Sequence, residues 1–169
     1  VNYLGNLYNG LSPPDNTMAI SDGGMVISAV NTNIEFDTTV APGGSYYYQS
    51  LLYFFNDTSL HYANIFDPRV IYDSGQDRFI VVALYGNQSA NSQILLAFSK
   101  SNKPSDGFWM YKIPGNVISG CWFDYPAIAT STNELFISGN TFYNAGIFNQ
   151  TVVFQIDKMS CYAGAPLNY

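Results

Sequence analysis

The sequence predicts an all-β fold built from repeated sheets, and three observations predict it. Short runs rich in β-branched and aromatic residues alternate with turn residues along the chain. No run carries a convincing helical period. A unit that reads "Asp beside Pro, short apolar strand, polar turn, second apolar strand" recurs, with spacings of 52 and 57 residues between Asp15, Asp67 and Asp124.

Each element follows in order. Pro14-Asp15-Asn16 leads into Met18–Ser28, where Met25–Val30 reads as a strand, and Ile34–Asp37 is the next strand after Asn31-Thr32-Asn33. Ser50–Phe55 reads as a further strand that ends at Asn56-Asp57. The second unit opens with Phe66-Asp67-Pro68, followed by strands at Arg69–Tyr72, Arg78–Tyr85, Gln93–Ser99 and Phe108–Ile113. The third opens with Phe123-Asp124-Tyr125-Pro126, followed by Ala127–Thr130, Glu134–Gly139 and Thr151–Ile156. Several of these runs are apolar throughout instead of alternating, which is expected of strands covered on both faces by stacked sheets.

A period near 50 with about four strands per unit is the pattern of β-propeller blades. The sequence thus divides into an N-terminal strand or closure segment (1–10), blade 1 (11–60), blade 2 (61–118) and an incomplete blade 3 (119–169). Propellers close with about four to eight blades. An arc of about three is therefore expected to be completed by further sequence or by partner chains.

Composition narrows the function classes. Aromatic residues make up 17% and charged residues only 11%, the reverse of a disordered chain. Solubility must rest on Asn, Ser, Thr, Gly and tyrosine hydroxyls. The net charge is −6 and the six Lys and Arg form no cluster, so a nucleic-acid phosphate backbone and an anionic membrane surface are both poor partners. No apolar run reaches the 18 or so residues of a membrane helix, so no membrane insertion by a helix is expected. The start at Val1-Asn2-Tyr3-Leu4 reads as a processed chain. Sequons at Asn56, Asn87 and Asn149 lie in polar stretches between strands and are glycosylation candidates. An extracellular or cell-surface location is expected.

Few residues offer chemistry. His61 is the single histidine, and without a second histidine or a nearby reactive cysteine it supports neither a catalytic triad nor a zinc site. Calcium has a partial ligand set in Asp73-Ser74-Gly75-Gln76-Asp77, but Asp residues also cap turns; no cofactor is expected. Cys121 and Cys161 are candidates for a disulfide, with two separate buried thiols as the other reading. Asp15, Asp67 and Asp124 recur just before the innermost strands, near a central channel. They read either as turn-fixing groups or as carboxylates of a ligand site. Trp122 and Tyr125 are candidate sugar-stacking residues, as are Trp109 and Tyr46–Tyr48, although both tryptophans also suit packing positions.

The motifs Phe66–Asp73, Asp77–Val81, Ser99–Trp109, Asp124-Tyr125-Pro126 and Phe154–Ser160 are together similar to a widespread family of extracellular β-propeller proteins. The resemblance covers most of residues 11 to 165. It implies the N-terminal blades of a larger secreted or cell-surface propeller protein, with the remaining blades or other chains as partners. Members mostly lack an assigned activity. The leading expectation is accordingly a non-catalytic structural or binding module of a glycosylated protein, with assembly and adhesion as its expected roles. The alternative is a glycan-binding or glycan-cleaving propeller enzyme whose site is completed by further blades.

Overall fold

The structure, a computed structural model, describes residues 5–7, 10–38, 47–60 and 65–169. Among these residues it is all-β apart from two short helices and one 3-10 turn. Blade 1 holds β1 (Thr17–Ile20), β2 (Met25–Val30), β3 (Asn33–Thr38) and β4 (Tyr47–Ser50). Blade 2 holds β5 (Ile65–Asp73), β6 (Arg78–Tyr85), β7 (Gln93–Ser99) and β8 (Phe108–Pro114). Blade 3 has three strands, β9 (Cys121–Thr130), β10 (Glu134–Tyr143) and β11 (Phe148–Asp157). Within each blade every strand pairs antiparallel with its sequence neighbour.

The first strands of the blades, β1, β5 and β9, lie side by side, and the sheets stack outward from them. That is propeller architecture, with the last blade incomplete, as the repeat predicts.

Blade 2 shows why its strands are apolar throughout. Along β6, the alternate residues Phe79, Val81, Ala83 and Tyr85 pack toward blade 1, while Ile80, Val82 and Leu84 pack toward blade 3. Strand β7 splits the same way, with Leu95 and Ala97 on one side and Ile94, Leu96 and Phe98 on the other. A period of two places successive side chains on opposite faces. Each fully buried Leu, Ile or Phe contributes about 1.5–3 kcal/mol of transfer free energy.

Leu51–Phe55, expected as the end of a strand, is instead helix α1. Ser50 caps it by accepting a hydrogen bond from the Tyr53 amide, and Asn56 ends it in the left-handed region at φ 49°. Leu51, Phe54 and Phe55, at helical spacing, fill the seam between blades 1 and 2. Helix α2 (Lys158–Tyr162), capped by Asp157, does the same between blades 2 and 3 by inserting Cys161 and Tyr162.

Lys158 is buried in that second seam, where its Nζ donates to Asp73 Oδ2 at 2.6 Å and to the Ser131 carbonyl at 2.5 Å. The Tyr162 hydroxyl donates to the same Asp73 oxygen at 2.9 Å. The ammonium and carboxylate thus satisfy one another where neither meets water.

The two cysteines do not pair, and both are buried thiols. Cys121 begins β9 beside Tyr143, whereas Cys161 follows the end of β11 beside Glu134. They adjoin opposite ends of ten-residue strands, and such a strand runs some 30 Å at about 3.3 Å per residue. A disulfide needs Cα atoms within about 7 Å. Strand direction, more than the face each side chain takes, forbids the bridge, and burial pushes the Cys161 thiol up to about 12.

Candidate functional site

The inner strands do not start cleanly, and their irregular starts build the site. In β5, Phe66 pairs with Leu84 and Arg69 with Val82, so Asp67 and Pro68 together oppose Ala83. In β9, Asp124 pairs with Asn140 and Ala127 with Ser138, so Tyr125 and Pro126 together oppose Gly139. These are β-bulges, which re-aim the extra residue. Gly139 is required at the second, since a Cβ there would meet the Phe123 ring at 2.3 Å and the Asp124 carbonyl oxygen at 2.8 Å.

The bulge residues are left-handed: Asp67 has φ 49° and Tyr125 φ 56°, and Asp15, two residues ahead of β1, has φ 43°. The structural repeat is therefore Asp15, Asp67 and Tyr125, which corrects the alignment of Asp124 with the other two aspartates. Asp124 lies one residue earlier, beside the repeated position and not on it.

All three aspartates nevertheless gather. Asp67 is buried, while Asp15 and Asp124 are half-buried. Asn31, at the turn after β2, ties two of the inner strand starts together. Its Nδ2 donates to Asp15 Oδ2 at 2.6 Å and to the Pro13 carbonyl at 3.1 Å, and its Oδ1 accepts the Asp67 amide at 2.8 Å.

Electrostatics follow from the crowding. Burial, with the negative charges of Asp15 and Asp124, pushes the Asp67 carboxyl up to about 6; Arg69 opposes the shift, and a side-chain hydrogen bond to Asp15 adds to it. Asp124 is also raised, chiefly by burial, with the Asp15 charge adding to it and a hydrogen bond from the Tyr125 amide opposing. Asp67, crowded by both neighbours, thus holds its proton more readily than an isolated aspartate would.

Around the acids, Arg69 crosses from blade 2 to blade 3, with Nε donating to the Pro126 carbonyl at 2.8 Å. Its guanidinium lies 5.8 Å from the centre of the Tyr125 ring. Tyr125 is 66% exposed. Trp122 is half-buried between Phe66 and Phe142, at centroid distances of 6.4 and 5.6 Å. It is held as a packing residue. Trp109 packs under Lys100, 4.3 Å from its ring centre. Tyr47 stacks on Phe36 and lies on β4, the strand of blade 1 furthest in the sheet from β1, while Tyr46 and His61 lie outside the described residues.

The remaining candidates lie elsewhere. Asn56 and Asn87 are exposed, and Asn149 is half-buried with Nδ2 3.5 Å from Thr141 Oγ1. In the turn considered for calcium, Asp73 faces Lys158 and Tyr162 while Asp77 accepts from Tyr72 and Asn102. Sequence reasoning missed Asn31. Its only signal is an Asn placed directly after the second strand of a blade.

No protein-family model matches the chain, and no curated protein matches it. Among solved structures it is similar to a GH43 endo-arabinanase from Bacillus licheniformis, at 10% identity and a TM-score of 0.46. The match covers 84% of this chain and 52% of that one, so the chain spans about half the length of the structure it matches. At that distance the similarity carries no statement about chemistry.

Proposed function

We propose that this chain is the acid-bearing part of a glycan-cleaving β-propeller, with further blades completing the site. The observation that supports it is the Asp67 carboxyl, raised to about 6 by burial and by two neighbouring carboxylates drawn from different blades. A carboxyl titrating near there can be protonated in one step and ionised in the next, as acid–base chemistry requires. Glycoside hydrolysis uses two carboxyl units, roughly 5–9.5 Å apart. Asp15 and Asp67 share a hydrogen bond, so they are too close to flank a glycosidic bond. In this reading they serve as one unit, with Asp124 as the other.

The experiment is Asp67→Asn in the complete protein, read as glycan turnover alongside thermal melting. The expected result is a loss of at least about 10²-fold in turnover with the fold kept. Unchanged turnover, or a wild type that cleaves no glycan, would contradict the proposal.

A second reading, a non-catalytic binding or structural module, is favoured by Asn31, which spends both ends of its amide joining the starts of two blades. In that reading Asn31→Ala and Asp15→Asn lower stability and change nothing else. Export to the outside of the cell belongs to both readings. The exposed sequons at Asn56 and Asn87 support it, and a mass shift of the natural protein on deglycosylation tests it.

A further inference from the structure

Tyr125 occupies in blade 3 the left-handed position that Asp15 and Asp67 hold in blades 1 and 2. Aspartate visits this region at low cost because its short side chain bonds locally, but a bulky ring does not. Packing among the described residues does not compensate, because Tyr125 is 66% exposed. A strained residue that persists without burial points to a use.

The surroundings say what use. Arg69 holds the ring from one side, with its guanidinium 5.8 Å from the ring centre. That arginine is itself fixed, since Nε donates to the Pro126 carbonyl at 2.8 Å and Nη1 to the Pro68 carbonyl at 2.9 Å. Asp124 is the adjacent residue, and Asp67 lies two positions before Arg69. An aromatic face beside carboxylates matches a sugar ring, whose C–H face stacks on the aromatic while its hydroxyls donate to the carboxylates.

The geometry points to Tyr125 as the stacking residue for a sugar ring at the acid cluster, and to that sugar being neutral. A uronic or sialic acid would bring a carboxylate to three aspartates. The cluster has Arg69 to oppose this, but two of its N–H groups are already committed to main-chain carbonyls. The inference rests on the acid/base reading above and narrows its substrate class.

Tyr125→Asn and Tyr125→Phe in the complete protein test it, with neutral xylo- and gluco-oligosaccharides and oligogalacturonate as probes. Asparagine suits the left-handed backbone, so Tyr125→Asn raises the melting temperature by roughly 2–4 °C while weakening neutral-sugar binding at least about tenfold. Tyr125→Phe keeps binding, and oligogalacturonate binds worse than the neutral probes. A fall in melting temperature for Tyr125→Asn makes the ring a packing residue and overturns the inference. So does binding that ignores Tyr125, or tight binding of oligogalacturonate. Turnover lost in Asp67→Asn with Tyr125-independent binding sinks only this inference. Tyr125-dependent binding without turnover in the wild type sinks only the acid/base reading, and no binding at all sinks both.

Discussion

The seam between blades 1 and 2 and the seam between blades 2 and 3 draw on opposite faces of the same strands, β6 and β7, yet they are closed differently. The first is apolar, with Ile27, Ile34, Phe36 and the α1 residues Leu51, Phe54 and Phe55 against Phe79, Val81 and Leu95. Its rings interlock edge to face, as with Phe54 against Phe55 and Phe108, at 5.0 Å for each pair. The second has an apolar body of Phe98, Phe123, Leu135, Ile137, Phe154 and Ile156, but a buried ion pair, Lys158 with Asp73, locks its end. An apolar seam tolerates exchange among side chains of similar volume. A buried pair fixes one register and fails sharply when halved.

Halving that pair is the largest expected effect. Lys158→Met leaves Asp73 buried without its cation and costs about 3–5 kcal/mol, read by denaturant melts. Adding Asp73→Leu recovers most of the loss, because a matched apolar replacement restores the balance. A double variant no better than the single would break the comparison by showing that the pair is not what locks the seam.

Next comes the apolar seam. Leu51→Ala, at a position with 0% exposure, costs about 2–4 kcal/mol. Leu51→Met costs less than about 1.5 kcal/mol because volume is conserved. An equal loss for both substitutions would mean that this seam is as exacting as the other.

A smaller, pH-dependent effect arises where the first seam meets the acid cluster. Asp67 titrates higher in the folded state, at about 6, than the ordinary value of about 3.9 in the unfolded chain. Its ionisation therefore costs stability. The cost is absent below about pH 4 and complete above about pH 6, on the order of 1–3 kcal/mol. Melts across that window should show the wild type losing stability relative to Asp67→Asn as pH rises; parallel curves would contradict the shift. The smallest effect concerns Cys121 and Cys161. Both are unpaired, so a reductant leaves the melting temperature unchanged, and a measurable drop would reinstate a disulfide.

Much of this was legible in the sequence, and the illegible parts have physical reasons. The double-sided burial of β6 and β7 was readable because apolar runs without alternation have few other uses in an antiparallel sheet. The aspartate repeat was readable to within one residue. A bulge adds a single residue without changing composition, so Asp124 stood in for Tyr125 at the repeated position. Helix α1 was hidden because five residues, Leu51–Phe55, are too few for periodicity to separate helix from strand. Asn31 and Lys158 were hidden because their partners are distant: Asp67 lies 36 residues from Asn31, and Asp73 lies 85 from Lys158. Local pattern reports which face a residue takes, but not what it meets there.

Acids from separate blades crowd Asp67 at the inner end of the fold, so that it keeps its proton to about pH 6. The most direct test is titration of the Asp67 carboxyl carbon by NMR in the complete protein, in the wild type and in Asp15→Asn. The wild type should show an apparent midpoint near 6, and Asp15→Asn should move it down. A midpoint near the ordinary aspartate value of about 4, unmoved by Asp15→Asn, would contradict it.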